Sequence, residues 1–492
     1  MSRVHGSGAA GVTDLSRGIS SQPLTRVAAA GAALTAALGV LAHWGNGTPW
    51  PALPLWVVAF GVYLWAWSTV RNLELAAVDP GVDGRRAPVR VGKAVWACAV
   101  VVRLALLPAE PALSEDIYRY VWDGLVQLGG VNPFLHPPGA EALAEFRTSW
   151  SALINHPGVP TIYPPGAQAV FAGLAAVSPS VLFFKLAWVG ADLGVAGALS
   201  ALAKKRGVRL QALVLYLWSP LLITEVAWNG HLEPLALLPL VAGIALAARP
   251  QPAGATRSKR SRWLGTTSAL FGLGAAVKFA PLAGVFALVS RGGWPRRDGW
   301  LVLAAGVLPL AGLYAAYAAW GLPAGEEIAR MFTGLRTYAA NWEFNPGLWR
   351  PFSAMNAPRW IALVPAGLCL AVACLRRWPI QRSVYWVFGL GLAFQPTLHP
   401  WYLLWMLPLA ALRGSGGWIL YTGTIFLAYQ GRDAYLATGS WPEPWWLVLL
   451  IHLPPLALLS RELMRELKTL PGHEACRRSR GVFRRPSPTE IP

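Results

Sequence analysis

Charge is what this 492-residue chain has little of: 13% of its residues are Asp, Glu, Lys or Arg, while 55% are hydrophobic. Soluble domains carry about 25% charged residues, so this balance excludes a soluble globular protein and indicates a polytopic membrane protein. Apolar runs recur along the chain with basic punctuation between them, and a bilayer core needs roughly 20 apolar residues per helix. The alternating pattern of a membrane β-barrel is missing. Cysteine is also scarce. Cys98, Cys369 and Cys374 lie in apolar runs and Cys476 in the basic tail, so neither a disulfide framework nor a cysteine metal cluster is suggested. No internal repeat is visible.

Acidic residues are scarcer still, 23 against 42 basic ones, for a net charge of +19. The bases sit in short loops between apolar runs and in "RRSRGVFRRPS" near the C-terminus. Such positions suit positive-inside anchors on anionic lipid, so membrane lipids are expected partners and nucleic acid is not. Basic loops at 71–93, 204–209, 249–262, 291–297, 376–382 and from Arg461 onward are assigned to the cytoplasm. Residues 1–26 then form a cytoplasmic leader, 27–44 a retained signal anchor and 461–492 a cytoplasmic tail, in a multi-pass plasma-membrane protein with both termini inside. Residues 27–460 form one transmembrane domain of about 12 to 14 helices by length. Within it, 264–290 lies between two basic loops and reads as two half-helices turning near "VKFAP". Residues 165–203 are too long for one span, and "PPGAQAVFAGLAAV" reads as short or re-entrant.

The charge balance reverses at 109–164, where Glu110, Glu115, Asp116, Asp123, Glu141 and Glu145 face only Arg119 and Arg147. This is read as a large first extracytoplasmic loop. "WNGHLEP" (228–234), 321–357, "HPW" (399–401) and "GRDAYLATGSWPEPW" (431–445) fall on the same side. Within the loop, "SEDIYRYVWDG" predicts a helix over 114–128 with Ser114 as cap, Glu115 four residues before Arg119 and Asp116 four before Tyr120. An interfacial amphipathic helix whose acids merely face water has the same pattern.

Other residues on that face extend the constellation. "INHPGVPTIYPPGA" (154–167) is a stiff, proline-rich strap that places His156 and Tyr163 on a wall. "WNGHLEP" sets His231 and Glu233 at a helix boundary, and Lys278, alone in "GLGAAVKFAPLAG", calls for an anionic partner. "HPWYLLW" adds His399 and Trp401. Arg, Lys and imidazole groups can bind a phosphate and stabilise it as it leaves, aromatic faces can hold a sugar or an isoprenoid, and a carboxylate can act as general base. Together they suit transfer from a lipid-linked phosphate to a polar acceptor.

The acidic pair in "LSEDIYRYVWDG", the downstream "HPGVPTIYPP" and the late "HPWYLLW" resemble the bacterial polyprenyl-phosphate-mannose-dependent mannosyltransferases of the multi-span GT-C superfamily, over most of the chain from Leu113 to Pro408. The resemblance implies a GT-C bundle and a single sugar, mannose, moved from a polyprenyl-phosphate donor to an extracytoplasmic glycolipid or polysaccharide acceptor, with inversion. The family's functional acid maps onto Asp116 and Glu115, with Asp116 preferred as base and Glu115 as helper or metal contact. Arg119, His156, Tyr163, His231, Lys278, His399 and Trp401 are the expected substrate-binding residues. The loop contains no D-x-D, so a metal-bridged donor is not implied; no cofactor is assigned and a divalent cation is left open. The rival readings are a transporter or flippase of a lipid-linked or anionic substrate, a transferase moving a larger lipid-linked unit, and a non-catalytic envelope scaffold.

Overall fold

A computed structural model describes residues 9–44, 49–76, 86–249, 256–292 and 296–468. Part of the leader, the segments 45–48, 77–85, 250–255 and 293–295, and the tail from 469 lie outside the described residues. Regular structure among the described residues is helical, apart from an isolated bridge between Phe344 and Thr397.

Among the described residues, five helices are long and apolar enough to cross a membrane: Gln22–His43, Pro51–Ala76, Val181–Lys204, Arg297–Ala319 and Trp445–Glu466. A sixth arises if Arg209–Leu217 and Pro220–Trp228, bent by 48°, are one broken span. The chain is thus a multi-pass membrane protein, and length and composition alone mark five or six of the expected 12 to 14 spans among the described residues. Much of the remaining apolar sequence is broken into pieces too short to cross alone, such as Pro165–Val177, Glu233–Ala247, Leu282–Arg291 and Arg359–Leu375. The helix Arg86–Leu106 has the length but carries Arg90, Lys93 and Arg103.

Both irregular stretches break where the sequence indicated. Pro165–Val177 stops at Ser178, and Ser180 Oγ accepts from the backbone N–H of Phe183 to cap the span Val181–Lys204. The helix Arg257–Val277 ends at Lys278, which is extended (φ −149°, ψ 136°), and Leu282–Gly292 follows Pro281. The two pieces are unequal in length, 21 and 11 residues. Arg257–Val277 packs on Arg297–Ala319 through a glycine crossing. A Cβ on Gly272 would lie 2.2 Å from the Gly306 carbonyl oxygen, so only glycine allows so close an approach.

Buried charge fixes the segment leading to the acidic loop. Arg103 Nε donates to Asp192 Oδ2 at 2.5 Å, and both side chains are almost fully buried. Lys185 Nζ donates to the carbonyls of Leu107 (2.9 Å) and Ala109 (2.7 Å), satisfying carbonyls beyond the end of Arg86–Leu106. Arg103, Lys185 and Asp192 were not singled out in the sequence, because each is a lone charge within an apolar run.

The acidic helix begins at Asp116 and runs to Leu128. Glu115 occupies the N-cap position without a side-chain bond, and Ser114 Oγ accepts from the Asp116 N–H at 3.3 Å. It is not a surface helix whose acids merely face water. Its residues from Ile117 to Gly124 are buried, and it packs on Pro165–Val177 so closely that a Cβ on Gly124 would meet the Phe171 carbonyl oxygen at 2.6 Å.

Candidate active site

One cavity of about 1030 Å³ gathers the unusual residues. The start of the acidic helix and the proline-rich strap form one wall, the break at Lys278 another, and "HPWY" with residues from Tyr338 to Phe344 a third. The helices Arg359–Leu375 and Ile380–Phe394 add an apolar extension through residues such as Leu363, Ala366 and Leu392. Every expected site residue lines it except His231.

Asp116 presents a side chain that is 20% exposed. Asn155 Nδ2 donates to its Oδ1 at 2.8 Å, and the Tyr163 hydroxyl donates to Oδ2 at 3.4 Å. The strap therefore aims the carboxylate from two sides. The Tyr163 and Tyr120 hydroxyls lie 3.4 Å apart, so that with the Tyr163 proton directed at Asp116 the Tyr120 hydroxyl is the donor of this pair, and the two rings meet edge to face.

Glu115 does not pair with Arg119 as the four-residue spacing suggested. It faces Arg432 Nη2 at 3.3 Å. Arg119 turns the other way along the helix, donating to Asp123 Oδ1 at 2.7 Å and to the Val159 carbonyl at 3.0 Å. Gln168 then donates to both Asp123 Oδ2 (2.8 Å) and Thr161 Oγ1 (2.7 Å). Arg119 and Asp123 thus tie the strap to the helix, and the arginine's charge is already matched.

His156 sits at a positive φ of 47° and packs edge to face on Trp342, with ring centroids 4.6 Å apart. Burial lowers its pKa below the ordinary 6.5; Asp116 opposes the shift and Arg119 adds to it. It is a neutral wall group at neutral pH. Lys278 ion-pairs with buried Glu233, and its Nζ lies 5.5 Å from the Tyr402 ring centroid. The anionic partner its isolation called for comes from the protein itself.

His399 and Trp401 belong to a stack of rings. His231 lies on Trp401 at 3.9 Å, Trp401 on His399 at 4.3 Å, and His399 on Phe344 at 4.7 Å. His231 is therefore shielded behind Trp401 and only 1% exposed. Its Nδ1 lies 3.9 Å from Asp116 Oδ2 and its Nε2 3.3 Å from Glu225 Oε2. Unlike the other expected site residues, His231 therefore does not line the cavity and lies behind its wall, next to Asp116.

Sequence reasoning missed Asn155, Glu225, Tyr338, Arg359 and Tyr429. Asn155 adjoins His156 in the strap, and Glu225 is a lone acid in the apolar "LLITEVAW", the same signal that singled out Lys278. Tyr338 shares a hydroxyl hydrogen bond of 2.8 Å with Tyr402, and Arg359 lies at the cavity 4.0 Å from Glu343. Among the described residues, no group of three or more His, Cys, Asp or Glu has an arrangement that could hold a metal ion.

A multi-pass helical protein with a large, mostly apolar cavity and an oriented carboxylate at its polar end has the build of a membrane transferase for amphiphilic substrates. Residues 15–292, more than half of the chain, match the family described as alpha-(1->6)-mannopyranosyltransferase, N-terminal domain (MptA_B family), and the chain belongs to this family of polyprenyl-phosphate-mannose-dependent GT-C mannosyltransferases. No curated protein and no solved structure gives a match. The matched segment includes Glu115, Asp116, Arg119, His156, Tyr163, His231 and Lys278; His399 and Trp401 follow it. The protein is a glycosyltransferase, and the transporter reading gives way to that assignment.

Proposed function

We propose that the protein moves one mannose from a polyprenyl-phosphate donor to an extracytoplasmic lipid or glycan acceptor, with Asp116 as general base. The observation that carries this reading is the Asp116 carboxylate, open to the cavity and oriented by Asn155 and Tyr163. In the transfer, the acceptor hydroxyl gives its proton to Asp116 as its oxygen bonds the anomeric carbon. The bond from that carbon to the phosphate oxygen breaks, and the electron pair leaves with the polyprenyl phosphate. One carboxylate and no enzymic nucleophile imply inversion.

Arg359 and Lys278 at the cavity supply positive charge toward the leaving phosphate, although Glu233 already offsets part of the lysine's charge. Glu115, held toward Arg432, supports the loop rather than sharing the base role. The apolar extension past Leu363 and Leu392 suits an isoprenoid chain. With the base on the outer loop and the basic loops opposite, both termini face the cytoplasm.

The test is incubation of membranes carrying the protein with labelled polyprenyl-phosphate-mannose. Incorporation of one mannose per acceptor that disappears in Asp116→Asn, at unchanged membrane yield, supports the reading. Near-normal turnover by that variant removes Asp116 from the base role, and incorporation of a larger unit removes the single-sugar reaction.

A further inference from the structure

Behind Asp116 lies a buried array that the transfer as written does not use. The segment "WNGHLEP" is docked rigidly beneath the acidic loop: Trp228 Nε1 donates to the Glu110 carbonyl at 2.7 Å, and Asn229 Oδ1 accepts from the Leu113 N–H at 3.1 Å. Gly230 takes φ +78°, and a Cβ there would lie 2.2 Å from Ile117 Cδ1. The His231 N–H donates to the Glu225 carbonyl at 2.8 Å, and stacking on Trp401 fixes the ring plane. The imidazole is thus held edge-on between two carboxylates, Asp116 toward Nδ1 and Glu225 toward Nε2.

The proton count of this array is constrained. Glu225 is fully buried, and its Oε1 accepts from the Tyr429 hydroxyl at 2.7 Å. Neither ring nitrogen of His231, nor Glu225 Oε2, completes a hydrogen bond in the structure, so the 3.3 Å approach of Nε2 to Oε2 is the nearest pairing open to them. Burial, with Lys278 and His399 nearby, lowers the His231 pKa well below the usual imidazole value, which excludes the imidazolium, and a neutral imidazole has one N–H and one lone pair. If Glu225 and Asp116 were both ionised, one carboxylate would face that lone pair. The other groups acting on the array are Glu233 and Asn229 on the Glu225 side, and Lys278 and His399 on the His231 side. The cation among them, Lys278, is engaged by Glu233. Leaving Glu225 ionised in that setting would strand a buried charge.

We infer that Glu225 is held as the neutral acid, its proton on Oε2 toward His231 Nε2, so that His231 carries its own proton on Nδ1 and presents it to Asp116. Glu225 and Tyr429 are then positioning residues that act through His231 on the base. The Nδ1 contact tightens to a hydrogen bond when substrate closes the site, as contacts to catalytic groups in unliganded enzymes often do. The Nδ1–H faces Asp116 Oδ2 and holds that oxygen toward the buried side, while Oδ1 is held by Asn155. The inference rests on the reading of Asp116 as base.

The experiment compares Glu225→Gln, Glu225→Leu and His231→Leu with the unchanged protein, alongside Asp116→Asn. A glutamine can accept from Tyr429 and donate to Nε2, as the neutral acid does. Glu225→Gln is expected to keep kcat within about threefold, while Glu225→Leu loses about 10- to 100-fold, the scale of a hydrogen bond to a charged group. In His231→Leu, the acid limb of the kcat/KM profile moves to higher pH, because a donor to the ionised base has been removed. An infrared carboxylic-acid band present in the unchanged protein disappears in Glu225→Gln, independently of turnover and of whether Glu225→Leu folds. A fall in Glu225→Gln as deep as in Glu225→Leu, an unmoved acid limb, or no lost band overturns the inference. Near-normal turnover of Asp116→Asn instead overturns the reading on which it rests, and the infrared result still decides the state of Glu225.

Discussion

Asn155 donates from Nδ2 to Asp116 Oδ1 at 2.8 Å, joining residues 39 positions apart. The bond spans the acidic loop from the start of its helix to the strap near its end. The strap is in turn held to that helix by Arg119 through the Val159 carbonyl. The direction of the proposed base is therefore set by both ends of the loop.

Replacing Asn155 by alanine removes a donor to an ionised group. Such bonds contribute about 1.5–3 kcal/mol, so Asn155→Ala should lose roughly 10- to 100-fold in turnover. Asn155→Asp should lose more, because it sets a like charge against Asp116. Initial rates with labelled donor, at matched membrane yield, check both; turnover of the alanine variant within twofold of the unchanged protein would remove this bond from the mechanism.

The Arg103–Asp192 pair predicts a stability effect without a change in chemistry. Both side chains are within 1% of full burial, and removing one partner strands the other. Asp192→Ala should cost about 3–5 kcal/mol, whereas Arg103→Met with Asp192→Leu should recover most of the loss. Thermal unfolding in detergent measures this. A double variant no more stable than Asp192→Ala would show that the pair does more than satisfy its own charges.

Much of the site was legible before the fold. Asp116, His156, Tyr163 and Lys278 were selected as polar groups in unlikely surroundings, and they meet at one cavity because burial of polar groups is costly unless they serve a shared polar space. The break at Lys278 was legible from charge parity, because 264–290 lies between two basic loops and must return to the side it left. What sequence spacing did not reveal was the choice among partners. Arg119 has Glu115 four residues before it and Asp123 four after, and helix geometry permits either. Gln168 and Val159, brought in by the fold, turn Arg119 and Asp123 toward each other and leave Glu115 to Arg432. Apolar length likewise says nothing about where a helix bends, so short pieces such as Pro165–Val177 and Glu233–Ala247 were not distinguishable from full spans in the sequence.

His156 predicts a pH effect with a definite sign. Burial holds its folded-state pKa below the 6.5 of an unfolded chain. Between those two values the unfolded chain binds more protons than the folded one, so stability falls as pH drops below about 6.5 and levels off beneath the folded-state value. His156→Gln should flatten that part of a thermal-stability profile between about pH 5 and 8. An acid-side slope unchanged by the substitution would assign it to other groups.

Lys278 separates a structural role from a role toward the donor. Lys278→Met leaves Glu233 buried without its cation, which predicts a loss of about 3–5 kcal/mol before any effect on substrate. A weakened donor interaction in that variant alone would therefore be ambiguous. Pairing it with Glu233→Gln removes the stranded charge, so the double variant should regain most of the stability. If Lys278 also faces the leaving phosphate, the double variant still shows a raised KM for the polyprenyl-phosphate donor while its KM for acceptor is unchanged. Recovery of both stability and donor KM would confine Lys278 to neutralising Glu233 and leave Arg359 as the cation for the phosphate.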